Sequence, residues 1–191
     1  MDKFLSIFFI FLISQLIFSK VPSERFNNTG IGFSTAINMS RIMKDIRFNL
    51  DINSPSFIYN IFSFRLNGTV GVLQEIPKNK TNSIFLNYYG YKFGISGSTH
   101  HEGENIRPYG EFGIVNFFHN ETNRLSTNNS AFGIYTLVGL NLIFNKEDIF
   151  SYFIEVGVNG MLFGGKSELV IGDPETYNGF IVTFGIKCFI Y

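Results

Sequence analysis

The sequence predicts an all-β chain, an eight-stranded antiparallel up-and-down transmembrane β-barrel preceded by a cleaved signal peptide. Three observations carry this expectation. Large apolar and small polar residues alternate with period 2 in eight segments, and helix-period segments are absent. The small face is mainly Gly, Ser, Thr, Asn and Ala, with few charges per segment. A short apolar run behind a basic residue opens the chain.

The N-terminal run comes first. Lys3 precedes FLSIFFIFLISQLIF, residues 4–18, which is followed by Ser19 and Lys20. A membrane-spanning helix needs roughly 20 apolar residues, so this run is short for a permanent anchor and reads as a secretory signal. The expected organisation is a signal at 1–19, an N-terminal lead-in at 20–28 and a barrel at 29–191. Because no cysteine stands at the cleavage point, a lipid-anchored N-terminus is not expected.

Composition narrows the function. With 15 basic and 15 acidic residues the formal net charge is zero, and nothing supplies the basic face that nucleic acid requires. A single cysteine, Cys188, forms no internal disulfide. Aromatic residues make up 17% of the chain, as 24 Phe and 9 Tyr, against 16% charged residues. That is a large oily load for an exported soluble domain.

The segments follow in order. In residues 30–39, Ile31, Phe33, Ile37 and Met39 share one face. In 45–53, Ile46, Phe48, Leu50 and Ile52 oppose Arg47, Asn49, Asp51 and Asn53. The third segment, 59–73, contains Asn67-Gly68, a pair typical of two-residue hairpins. Its apolar residues Phe62, Phe64, Leu66, Val70 and Val72 nevertheless keep even parity throughout, which predicts one long strand. In 82–97, Tyr89, Tyr91, Phe93 and Ile95 oppose Gly90, Lys92, Gly94 and Ser96. The fifth, 106–118, changes phase: Phe112 and Ile114 are even, Val115 and Phe117 odd, and a bulge is one way to accommodate this. The sixth spans 131–145, the seventh 149–163 and the eighth 179–191. Longer polar connections follow the odd-numbered segments, and shorter ones such as NSPS at 53–56 and NKED at 145–148 follow even-numbered ones, although 40–44 is short and 98–105 long for this rule.

The orientation of the greasy face decides what the chain is. A soluble sheet would show Lys and Glu on its polar face, whereas small residues fit a narrow barrel interior. Alternating strands of about ten residues with long loops on one side are the pattern of an outer-membrane barrel. The inner-facing charges are then Arg47, Asp51, Arg65, Lys92, Glu111, Glu155 and Lys187. Eight strands enclose little space, so these are expected to form an ionic network that fills the lumen rather than a channel lining.

Residues 28–191 resemble the small OmpA/OmpX-like outer-membrane barrels, through RPYGEFGI (107–114), YFIEVGVNG (152–160) and the final GFIVTFGIKCFIY. The Asn-, Ile-, Phe- and Lys-rich wording is also similar to small spirochaete surface proteins. The resemblance implies a bacterial outer-membrane location, contact with outer-membrane lipid, and a C-terminal aromatic, Tyr191, read by the barrel-assembly machinery. Tyr191 departs from the pattern, because it shares parity with Lys187 while the apolar stripe ends on Cys188 and Ile190.

Little points to catalysis. His100, His101, Glu102 and Glu104 crowd one connection, but adjacent residues rarely make a metal shell. His119-Asn120-Glu121 lacks the His and Ser two apart that lipid A deacylases of this architecture carry. The chain is read as a non-enzyme without a cofactor, with surface interaction, adhesion or envelope integrity as its role. Binding to a host or extracellular macromolecule would then fall to the loops, with Lys78, Lys80, Arg124, Lys166, Glu168, Asp173 and Glu175 as candidate contacts. The alternatives are a small channel or lipid-modifying enzyme in the same fold, and a soluble lipocalin-like calyx with its greasy face inward.

Overall fold

The computed structural model describes residues 29–39, 44–58, 61–75, 84–98, 105–119, 130–143, 150–164 and 177–190. The signal and lead-in segments, the histidine pair at 100–101, the seven candidate loop contacts and Tyr191 lie outside the described residues. Eight strands are described: β1 (Thr29–Met39), β2 (Lys44–Asn53), β3 (Phe62–Glu75), β4 (Ile84–Ser98), β5 (Ile106–His119), β6 (Ser130–Leu142), β7 (Phe150–Gly164) and β8 (Gly179–Ile190). Each pairs antiparallel with its sequence neighbour, and β1 pairs with β8 from Thr29↔Ile190 to Met39↔Phe180, closing the barrel.

The greasy face points outward. Phe33, Phe48, Val70, Phe112, Val138 and Phe184 are each more than half exposed, whereas Arg47, Asp51, Arg65, Glu111 and Glu155 are buried. This polarity is the reverse of a soluble calyx and overturns that reading. Asn67 and Gly68 continue the β3 ladder, pairing with Asp51 and Leu50 on one side and with Lys92 and Tyr91 on the other. The constant phase of the apolar residues across Asn67-Gly68 is thus that of one continuous strand.

Several boundaries require correction. β3 begins at Phe62, and the chain reverses beyond NSPS, where Phe57 and Phe62 form an isolated bridge. Gln74, His119, Ser130 and Gly164 belong to strands, not loops. β5 has no bulge, since its register runs unbroken against both β4 and β6. Val115 and Phe117 simply face inward, where both are fully buried. The bulge lies in β7 instead: Phe132 pairs with Phe163 and Gly133 with Met161, so Leu162 is the extra residue. Leu162 and Phe163 consequently both point outward, 57% and 70% exposed.

Inward aromatic rings are seated on glycines of adjacent strands. Tyr88 is paired in register with Gly71, Phe117 with Gly90, Tyr109 with Gly139 and Phe153 with Gly185. A Cβ added at any of these four glycines would come within 2.4–2.6 Å of the facing ring. Tyr135 pairs with Gly113 and reaches across to Gly94, where a Cβ would lie 2.3 Å from its hydroxyl. The small residues of the inner face thus make room for the large ones.

Candidate functional site: the barrel lumen

The lumen holds two polar layers. The one nearer the chain termini is centred on Arg65 of β3. Its guanidinium reaches Asp51 of β2 at 2.8 Å, Glu111 of β5 at 3.1 Å, and Glu155 of β7 at shorter range still. One arginine thereby joins carboxylates from three other strands, using its planar fork of donors. Each glutamate accepts a second hydrogen bond from a tyrosine: Tyr109 donates to Glu155 at 2.5 Å, and Tyr135 donates to Glu111. Asn67 donates to Asp51 at 2.7 Å, and Thr69 donates to Asn49 at 2.8 Å.

Two lysines flank this layer over aromatic faces. Lys92 lies 5.1 Å from the Tyr135 ring centre, and Lys187 lies 5.3 Å from that of Phe153 and 5.9 Å from that of Tyr109. Glu111, Tyr135 and Lys92 form one arm, and Glu155, Tyr109 and Lys187 form a second, both meeting at Arg65. Three carboxylates are balanced by one guanidinium and two ammonium groups. Removing these charges from water carries a large desolvation cost, which close pairing must offset.

The layer nearer the loop side is built from fewer charges and more rings. Arg47 donates through Nε to Asp45 at 2.6 Å, and Tyr88 donates to the other oxygen of Asp45 at 2.5 Å. The Arg47 guanidinium lies 4.9 Å from the Phe117 ring centre. Tyr177, just before β8, packs against Tyr88 at 4.9 Å and Phe117 at 4.7 Å between ring centres. Its hydroxyl is 3.5 Å from His119 Nδ1, and its φ of 71° is unusual for a residue with a side chain. Tyr177 comes from the β7–β8 connection and completes a buried aromatic cluster with Tyr88 and Phe117 beside Arg47.

Tyr177→Ala is expected to loosen that cluster, at a packing cost on the order of 3 kcal/mol. In a Cys188→Ser background, a cysteine replacing Ala131, which lies in the same buried cluster as Tyr177, should become reactive to a membrane-impermeant thiol reagent only when Tyr177 is also replaced. Equal labelling with and without Tyr177 would show that the ring does not hold the cluster shut around Ala131.

Of the charges assigned to the inner face by parity, Asp51, Arg65, Glu111 and Glu155 meet in the first layer, Lys92 and Lys187 flank it, and Arg47 belongs to the second. The sequence reading left out Asp45 and Arg107, both buried. Their parity was the available signal: Asp45 matches Arg47, and Arg107 matches Glu111. It also left out the hydroxyls of Tyr88, Tyr109 and Tyr135, which lie on the small face by the same count. Among the described residues, no group of three or more His, Cys, Asp or Glu is placed to hold a metal ion.

Little space remains in the first layer. A void beside Arg65, Lys92, Glu111 and Glu155, and another beside Tyr135, Asn159 and Thr183, measure about 10 Å³ each. Each is scarcely enough for one water molecule.

No family model and no curated protein sequence matches the chain. Among solved structures, it is similar to the N-terminal β-barrel domain of Pseudomonas aeruginosa OprF, with a TM-score of 0.56 at 11% identity. That likeness covers 85% of this chain and 96% of the OprF domain. The fold is that of the small OmpA/OmpX-like outer-membrane β-barrels. The Yersinia pestis outer membrane protein Ail also matches, with a TM-score of 0.48 at 14% identity, over 86% of this chain and 99% of Ail. At such identities the likeness concerns architecture alone. The lumen residues of this barrel must be understood from their own contacts.

Proposed function

We propose that this barrel sits in a bacterial outer membrane with both termini on the periplasmic side, and that its role is surface interaction or envelope integrity without catalysis. The observation that carries the reading is the polarity of the wall, apolar outside and ionic inside. Lipid cannot satisfy open strand edges, and this barrel has none between its eight strands. Strands of 10 to 15 residues suffice to cross the hydrocarbon layer when tilted.

Binding then falls to the connections that follow odd-numbered strands, where Lys78, Lys80, Arg124, Lys166, Glu168, Asp173 and Glu175 are the contacts we assign to an extracellular macromolecule. Tyr191 is assigned to recognition by the assembly machinery, and the signal peptide to export. The Arg65 layer supports a closed lumen over the channel reading, because among the described residues the voids beside these charges measure only about 10 Å³ each.

Protease treatment of intact cells tests the topology. Cleavage is expected only at Lys78–Lys80, Arg124 and Lys166, whereas cutting at Lys146 with the membrane intact would refute it. In planar bilayers the purified barrel is expected to give no steady single-channel conductance. A sustained conductance would replace the plug with a pore.

A further inference from the structure

The β2–β3 connection differs from the other connections at its end of the barrel. Residues 54–64, SPSFIYNIFSF, contain no charge, whereas 99–105 reads THHEGEN and 143–149 reads IFNKEDI. Its described part is a narrow arm continuing the β2–β3 hairpin. Ser54 N donates to Phe64 O at 2.8 Å, and Phe57 and Phe62 exchange backbone hydrogen bonds at 2.7 and 3.1 Å. Ile61 N donates to Ile58 O at 3.2 Å, and Ser98 N donates to Ile61 O at 2.9 Å, fastening the arm to the end of β4.

The apolar surface of the wall runs onto this arm without a break. Phe57 stacks on Phe64 at 4.8 Å between ring centres, and Phe64 stacks on Phe93 at 5.9 Å. Phe64 and Phe93 belong to the outward band, at 42% and 44% exposure. At the tip, Ile58 is 60% exposed with a φ of 49°, a conformation that a β-branched residue rarely adopts. A strained isoleucine held out on an uncharged turn is poorly suited to water. Hydrocarbon would suit it, provided the backbone polar groups already have partners. The hydrogen bonds just described supply partners for the N–H groups of Ser54, Phe57, Ile61 and Phe62.

We infer that the β2–β3 turn, through Phe57, Ile58 and Phe62, is an apolar keel seated in the acyl-chain boundary of the leaflet on the terminus side. Its partner is the lipid surface itself, met as a continuation of the wall's lipid contact. The inference rests on the membrane-barrel reading and extends it from the strands to a turn. The two neighbouring connections at that end carry charges suited to water, so the keel marks one side of the barrel.

Site-specific fluorescence separates this inference from the reading beneath it. In a Cys188→Ser background, single cysteines are placed at Ile58 or at Val70, which faces outward mid-strand, and labelled with an environment-sensitive dye. The full barrel is then reconstituted in phospholipid nanodiscs. At both positions the emission should be blue-shifted, and quenching by brominated lipid should exceed quenching by aqueous iodide several-fold. Lipid quenching at Val70 with iodide quenching at Ile58 would overturn the keel and leave the membrane barrel standing. Iodide quenching at both would overturn the membrane reading. If the Ile58→Cys chain fails to give the compact folded band on a gel, Phe57→Cys carries the same readout.

Discussion

Arg65→Leu should cost the barrel about 3–5 kcal/mol, enough to prevent folding outright if the wild-type margin is small. The size follows from the stoichiometry at the hub. Asp51, Glu111 and Glu155 are all buried, and each has its ion-pair contact with this one guanidinium. Removing it leaves three carboxylates in a low-dielectric interior, with Tyr109, Tyr135 and Asn67 as neutral donors. The check is a denaturant titration of the reconstituted barrel, followed by the gel shift between compact and unfolded forms. Adding Glu155→Gln to Arg65→Leu should recover part of the loss, because the two carboxylates that remain are then matched by Lys92 and Lys187, and the penalty lies in unpaired charge rather than in missing atoms. Arg65→Lys should fall between the two, since an ammonium cannot fork among three carboxylates. Protonation discharges orphaned carboxylates, so the deficit of Arg65→Leu should shrink in acid. An unchanged midpoint for Arg65→Leu would mean that the network stabilises nothing.

Gly113→Ala should be damaging while Gly68→Ala is nearly silent, although both glycines lie inside strands. A Cβ at Gly113 would stand 2.1 Å from the Phe93 carbonyl oxygen and 2.6 Å from Gly94 Cα. Both are backbone atoms of β4, so relief requires parting two strands, beside the seat of Tyr135. A Cβ at Gly68 meets nothing within 4 Å. Overpacking of the first kind costs about 1–3 kcal/mol, and a change of the second kind stays within about 0.5 kcal/mol. The same titration reads both. Equal midpoints would show that the β4–β5 pair is looser than its geometry implies.

Most of the wall was legible in the sequence because the period of a strand is two and the outward face is apolar at nearly every position. Phase alone placed Asn67-Gly68 inside β3, against the usual meaning of that pair. The same reasoning stumbled at β5, because oily residues were expected only outside. The odd-numbered Val115 and Phe117 looked like a slip in register, when the lumen holds an apolar cluster of its own. Asp45 and Arg107 were open to the parity count and were passed over. The choice of Arg65 as the hub was not legible, because its partners lie 14, 46 and 90 residues away and meet only through the curvature of the closed sheet. The β7 bulge was also hidden, since Leu162 continues the outward parity and only the pairing with β6 reveals the extra residue.

The seam between β1 and β8 bears on how the molecule is made. Thr29 lies opposite Ile190, so the first strand to leave the ribosome waits for the last before either has two neighbours. A chain lacking β8 would present the free edges of β1 and β7, and bare edges recruit other chains. In the membrane reading proposed above, hydrocarbon would offer those edges no substitute partner, and entry into the bilayer and completion of the ring would coincide. β8 is therefore the keystone: its twelve residues, Gly179–Ile190, close the ring that the other seven strands leave open.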